Sequence, residues 1–246
     1  MNTENNTLLN YLNKTNMKNI LLIGGSYGIG AEIASQLATE NNILIASRSA
    51  ENIPTGATHL VFDATKDDIT NLELPDTIDG LVYCPGSINL KPFSMLKPEA
   101  FSNDLQINFT SLVTILKGLE PKLKAASTAS IVVFSTVAVK VGMPFHTSVA
   151  AAKGALEGFS KSLAAEWAPK IRVNVIAPSL TDTPLAKRLL GNETKKEKMN
   201  VRHPLKRVGE TADIANMASF LLSDKSSWMT GQIIGVDGGM STLNLS

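Results

Sequence analysis

The residues most able to do chemistry stand where apolar runs break off. Gly24, Gly25, Ser26, Tyr27, Gly28, Ile29 and Gly30 follow the run Ile20 to Ile23, and helical spacing resumes at Ile33, Leu37 and Ala38. A buried strand, a tight turn and a helix start, in that order, make a cradle for a pyrophosphate. Glycines let the backbone approach the anion, and the helix N-terminus supplies unused N–H donors. A bare structural turn uses glycines too, so the pattern needs support from the rest of the chain. A second apolar run, Ile43 to Ala46, ends in Ser47, Arg48 and Ser49. In a nucleotide fold this strand end meets the adenosine ribose, where a carboxylate bonds the 2′-hydroxyl and an arginine accepts a 2′-phosphate. No carboxylate stands here, so the triplet favours NADP(H) over NAD, against the plainer reading of Arg48 as a solvated strand end. His146, in a loop just ahead of a long helical segment, can ionise near neutral pH. Its plain alternative is a surface loop histidine.

The elements that must hold these residues alternate along the chain. Further strands are predicted at His59 to Phe62, Gly80 to Tyr83, Ser130 to Ser135, Ile171 to Ala177 and Gln232 to Val236. Between them, Leu105, Phe109, Leu112, Leu116 and Leu119 recur at helical spacing, as do Leu156, Phe159, Leu163 and Ala164 in a helix predicted over Thr147 to Trp167. Another helix is predicted from about Glu210 to Leu222. This alternation argues for an α/β domain, a Rossmann-like doubly wound parallel sheet with helices on both faces. From Pro178 to Glu210 the pattern lapses. A loop this long in a compact domain is usually functional, so 179–209 reads as a lid with one or two short helices over a substrate cleft. Its basic run, Lys195, Lys196 and Lys198, reads as a solvated helix face.

Length and composition bound the possibilities. At 246 residues and 43% hydrophobic content the chain can bury one large core, and 18–246 reads as a single domain. Residues 1–17, rich in Asn and Thr, read as an N-terminal arm. The formal net charge is +1, which gives no overall field toward nucleic acid or an anionic membrane. No apolar run reaches the roughly 18 residues of a membrane span. Cys84 is the only cysteine and no secretion signal is legible, so a cytoplasmic protein is expected. Three scattered histidines and one cysteine suggest no metal site.

The glycines read Gly-x-x-x-Gly-x-Gly, ending in Gly28-Ile29-Gly30, and this wider first gap resembles the short-chain dehydrogenase/reductase family. The likeness runs from Lys18 to Gly239, where Asp237-Gly238-Gly239 closes the last strand as in that family. The resemblance implies that Asp63 and the backbone of Ala64 bond the adenine ring. Pro85 and Gly86 lie where the family carries the end of Asn-Asn-Ala-Gly; the glycine that lets the cofactor ribose lie close is kept and both asparagines are gone. Pro178, Leu180 and Thr183 would bind the nicotinamide amide and phosphate side, with Ser179 where a glycine is usual. Asn108 looks like the family's active-site asparagine, which kinks its helix and uses a backbone carbonyl to hold a water beside a lysine.

The family's chemistry is hydride transfer between a nicotinamide and a small substrate. A tyrosine supplies the proton, lowered in pKa by a lysine one turn later, and a serine at the preceding strand end holds the substrate oxygen. Residues four apart share a helix face, so Tyr-x-x-x-Lys acts as a unit. Lys153 fits the lysine, and the same position also holds the nicotinamide ribose. The serine position falls on Thr136 and the tyrosine position on Val149. No shift of register restores a tyrosine, since the chain has only Tyr11, Tyr27 and Tyr83. Three readings follow. In the first, another group donates the proton: His146, then Lys153 through a water, then His203 or Asp182 from the lid. Alternatively the substrate is conjugated and needs no acid at oxygen. In the third, the protein binds the dinucleotide without turnover, as a sensor or scaffold. The long helices imply a homodimer or homotetramer by the same resemblance.

Overall fold

The computed structural model describes residues 17–244, so the predicted arm lies outside the described residues except for Met17. Seven parallel strands form one sheet in the order β3-β2-β1-β4-β5-β6-β7. They are β1 (Asn19–Ile23), β2 (Asn42–Ser47), β3 (Thr58–Val61), β4 (Gly80–Tyr83), β5 (Ala129–Phe134), β6 (Ile171–Pro178) and β7 (Ile233–Val236). The helices between them are α1 (Gly28–Leu37), α2 (Pro98–Leu105), α3 (Ser111–Ala125), α4 (Val137–Lys140), α5 (Thr147–Trp167), α6 (Glu193–Arg202) and α7 (Thr211–Leu222).

The strands are apolar at nearly every position because both faces are covered. Side chains alternate across a strand, so Leu21, Ile23, Leu81, Tyr83, Ile131 and Val133 face α3 and α5, meeting Leu112, Leu116, Leu119 and Leu156. Leu22, Ile45, Val82, Val132 and Ile176 face the other way, onto Ile33 and Ala34 of α1 and Ile214, Ala215 and Ala218 of α7. Register makes the layers continuous, with Leu22 opposite Ile45 on one side and Val82 on the other, and Val82 opposite Val132. Each fully buried Leu or Ile contributes about 1.5–3 kcal/mol.

The strand order reverses between β1 and β4, which opens a crevice beyond their C-terminal ends. Two irregular pieces surround it. The predicted helix through Leu105 and Phe109 is interrupted by a π-helical turn, Gln106–Thr110, which joins α2 to α3 and carries Asn108. The segment 179–209 contains a 3₁₀ turn, Pro184–Ala186, and α6, whose N-terminus is capped by the Asn192 side chain. Its base is closed by a bridge between Thr181 and Gly209. The Lys196 ammonium reaches the Asp182 carboxylate at 2.9 Å. Among the described residues no helix is long and apolar enough to cross a membrane.

Candidate functional site

A cleft of about 700 Å³ follows the crevice, and every nominated site residue lines it except Asp182 and Asn108, the latter lying behind Gly86. At one end stands the glycine turn. Gly30 opens the first turn of α1, and a Cβ there would lie 2.8 Å from the Gly24 carbonyl oxygen and 2.9 Å from the Gly25 α-carbon. Only a bare α-carbon lets α1 pack this tightly under the end of β1. The helix begins at Gly28 without a side-chain cap and without an acid in its first turn, so its terminal N–H groups face the cleft unneutralised. Ser26 is buried in the turn and Tyr27 is exposed beside it.

At the end of β2, Ser47 is occupied. Its hydroxyl donates to the Ser49 carbonyl at 2.8 Å, and His59 Nε2 lies 3.1 Å from both its Oγ and its backbone oxygen. Arg48 is exposed and forms no ion pair among the described residues. At the end of β3 the Asp63 carboxylate accepts from the Thr65 hydroxyl at 2.7 Å and from its backbone N–H at 3.0 Å. These bonds, with Lys66 nearby, hold it below the usual carboxylate range. Its own N–H donates to Asp67. The Asp63 carboxylate expected to meet an adenine therefore already accepts two hydrogen bonds within its own loop.

The other end of the cleft is built from β4, β5, the π turn and α5. Lys153, 7% exposed on α5, has its ammonium lowered from 10.5 to about 8 by burial, with the nearby Cys84 opposing. Burial pushes the Cys84 thiol up to about 12. Gly86 lies against the lysine: a Cβ there would stand 3.6 Å from Lys153 Nζ and 3.3 Å from Asn108 Oδ1. Tyr83 does not enter the cleft. Its buried hydroxyl donates to the Ile107 carbonyl of the π turn at 2.7 Å, and burial raises its pKa.

Thr136 caps α4, its Oγ1 accepting from the Ala138 N–H at 3.3 Å, and its hydroxyl hydrogen has no acceptor among the described residues. The neighbouring Ser135 is tied to Glu157 at 2.5 Å. Val149 lines the cleft one turn ahead of Lys153 and is 6% exposed. His146 precedes α5, and its Nδ1 donates to the Pro144 carbonyl at 2.7 Å, which leaves Nε2 as the free nitrogen.

Two lid residues weighed as donors are placed differently from that expectation. His203 lines the cleft but is 3% exposed, with Nδ1 donating to the Met199 carbonyl and Nε2 taking the Ser179 hydroxyl, both at 2.8 Å. It has no nitrogen left for a substrate. Asp182 is paired with Lys196 and does not line the cleft.

Sequence reasoning missed the polar partners behind Gly86 and the apolar walls. Ser87 and Asp104 join Asn108 in one hydrogen-bonded group. Met143, Phe145, Leu185, Leu189 and Met199 line the same cleft as Val149. The polar group has no local signature, while the clustering of apolar residues in 179–209 was available as a signal.

Comparisons with known proteins bear on the family and the fold. The family profile described as enoyl-(acyl carrier protein) reductase matches residues 24–241. The chain is 34% identical over 244 residues to the 3-oxoacyl-[acyl-carrier-protein] reductase FabG of Chlamydia trachomatis, covering 91% of this chain and 97% of that protein. Its fold is similar to that of a short chain dehydrogenase family protein from Francisella tularensis, with a TM-score of 0.84, 28% identity and coverage of 92% and 100% of the two chains. It is also similar to ElxO with NADP bound, with a TM-score of 0.82, 25% identity and the same coverage.

Proposed function

Because the chain belongs to the short-chain dehydrogenase/reductase family, we propose that it is an NADP(H)-dependent reductase of a carbonyl or conjugated, enone-like small substrate. The observation that carries this reading is the buried Lys153 ammonium at the far end of a cleft that begins at the uncapped N-terminus of α1. The cleft fits a dinucleotide: its turn has free N–H groups and no acid, Arg48 is unpaired at the ribose end, and Gly86 leaves room beside Lys153. The relative with NADP bound supports the same choice.

A bound nicotinamide supplies hydride to the substrate carbon. The chain does the rest. Arg48 and the α1 N-terminus take the phosphates, with Ser47 and Ser49 at the ribose, and Lys153 holds the second ribose. The free Thr136 hydrogen and the Lys153 ammonium stabilise charge that develops on the substrate oxygen. For a carbonyl substrate the proton comes from His146 Nε2 or from Lys153 through a water. A conjugated substrate lets Lys153 and Thr136 hold an enolate while solvent protonates carbon later. The names of the matched family and relative, an enoyl and a 3-oxoacyl reductase, support both substrate classes. Segment 179–209 covers the apolar end as a lid, and the long helices build a homodimer or homotetramer.

Val149 favours a second reading. General acid–base help contributes ~10²–10⁴-fold, about 3–5 kcal/mol of barrier, and valine supplies none. A dinucleotide-binding sensor or scaffold on the same fold has no use for that help. Titration of NADPH and NADH fluorescence, followed by a panel of ketones, quinones and enones, separates the two. Binding with NADPH oxidation supports the reductase; binding without oxidation by any of the panel supports the non-catalytic protein. His146→Ala lowers turnover more than cofactor affinity if that ring is the donor, and unchanged turnover removes the assignment.

A further inference from the structure

A polar group lies directly behind Gly86. Asp104 is 3% exposed and Asn108 is fully buried, and both meet Ser87. Ser87 Oγ is 2.6 Å from Asp104 Oδ1, and Asn108 Nδ2 is 2.8 Å from both Ser87 Oγ and the Asp104 backbone oxygen. What each atom can do fixes the directions. A backbone carbonyl only accepts, so the Asn108 amide nitrogen must face it, and Ser87 Oγ takes the second N–H. The Ser87 hydrogen then goes to the Asp104 carboxyl oxygen.

This leaves two open ends: the Asp104 Oδ2, buried without a partner at the far end of the chain of bonds, and the Asn108 amide oxygen at the end nearest the cleft. Asn108 Oδ1 is buried without a partner and turned toward Gly86, on the side of Lys153 Nζ. Lys153 in turn has no hydrogen bond or ion pair among the described residues. A buried acceptor lacking a donor and an ammonium that lines the cleft without a protein acceptor therefore flank one glycine, and the acceptor is expensive to leave unmatched.

We infer that Ser87 and Asp104 are positioning residues: they lock the Asn108 amide so that Oδ1 is presented to the Lys153 ammonium, directly or through one water. The effect is to keep that cation charged and aimed into the cleft. Its use in turnover rests on the reductase reading, whereas the alignment itself does not. The titratable groups around Lys153 are Cys84 and Tyr83 at the end of β4, Asp104 on α2, and His146 and Glu157 on or before α5. Burial keeps the cysteine and the tyrosine neutral, and Glu157 is taken by Ser135.

The test follows Lys153 directly. Lysines are reductively methylated with ¹³C, and the Lys153 resonance is assigned by its loss in Lys153→Arg. It is then titrated in wild type, Ser87→Ala, Ser87→Thr and Asp104→Asn, with NADPH affinity and kcat and KM measured alongside. An aligned acceptor stabilises the ammonium, so loosening the Asn108 amide in Ser87→Ala moves the Lys153 midpoint down by about half to one pH unit. Asp104→Asn moves it in the same direction, and Ser87→Thr keeps it near the wild-type value. In Ser87→Ala, kcat falls roughly 3–10-fold while KM and NADPH affinity stay within about 2-fold. A Lys153 midpoint unmoved in Ser87→Ala overturns the inference. A wild type that binds NADPH and reduces nothing ends the reductase reading, while the titration still decides the positioning.

Discussion

Lys153→Met separates what the site needs from what the fold prefers. Burial lowers the Lys153 ammonium from 10.5 to about 8. Below about pH 8 both the folded and unfolded chains hold the proton, and the folded chain bears the full cost of a desolvated charge. Between about pH 8 and 10.5 the unfolded chain binds the proton and the folded chain releases it, so wild-type stability rises with pH across that window. At about 1.36 kcal/mol per pH unit, the cost at neutral pH is on the order of 3 kcal/mol at most. Methionine keeps an unbranched apolar stem in the same space and removes the charge. The variant is therefore expected to be more stable than wild type by about 1–3 kcal/mol at pH 7, with the difference shrinking toward pH 10. Urea unfolding at the two pH values, read by tryptophan fluorescence, gives the comparison as a shift in midpoint at unchanged slope. Saturating NADPH is expected to narrow the difference at pH 7, because it stabilises wild type more than the variant. A Lys153→Met protein less stable than wild type at pH 7, or a difference that does not change with pH, refutes the argument that the site holds a buried, costly ammonium.

Two further outcomes are expected. Arg48→Ala should weaken NADPH binding ~10–100-fold, the worth of a charge-assisted hydrogen bond, and leave NADH within about 3-fold; equal losses for both cofactors would remove Arg48 from 2′-phosphate recognition. Gly30→Ala should destabilise the protein by about 1–3 kcal/mol in thermal or urea unfolding, because the atoms its Cβ would meet at 2.8 and 2.9 Å are backbone and cannot step aside. A stable Gly30→Ala variant with undiminished NADPH affinity would contradict the close packing of α1 under β1.

The contrast between what was and was not legible in the sequence has a physical cause. Strands buried on both faces leave unbroken apolar runs, so β1, β2, β4, β5 and β6 could be placed within a residue or two from Ile20, Ile43, Gly80, Ser130 and Ile171. The helix Thr147–Trp167 was bounded at both ends, since its apolar face repeats without interruption between two loops. The sheet then decides where strand ends converge, which brings the glycine turn, Arg48 and Gly86 to one cleft, and the packing of α5 on the sheet brings Lys153 to the same place. Hydrogen bonds between distant side chains obey no such period. Nothing in the chain joins Ser87 to Asp104, Ser47 to His59 or Ser135 to Glu157, yet each pair decides which hydroxyl is free. Ser135 has spent its hydrogen on Glu157 while the adjacent Thr136 only accepts from the Ala138 N–H, and His203 has no free nitrogen because the Ser179 hydroxyl and the Met199 carbonyl take both. The π turn is illegible for a related reason: Gln106–Thr110 keeps helical spacing while Tyr83, far away on β4, takes the Ile107 carbonyl. Local pattern thus reaches as far as the backbone that carries a reactive group, and the proton on that group is set by partners the fold alone brings near.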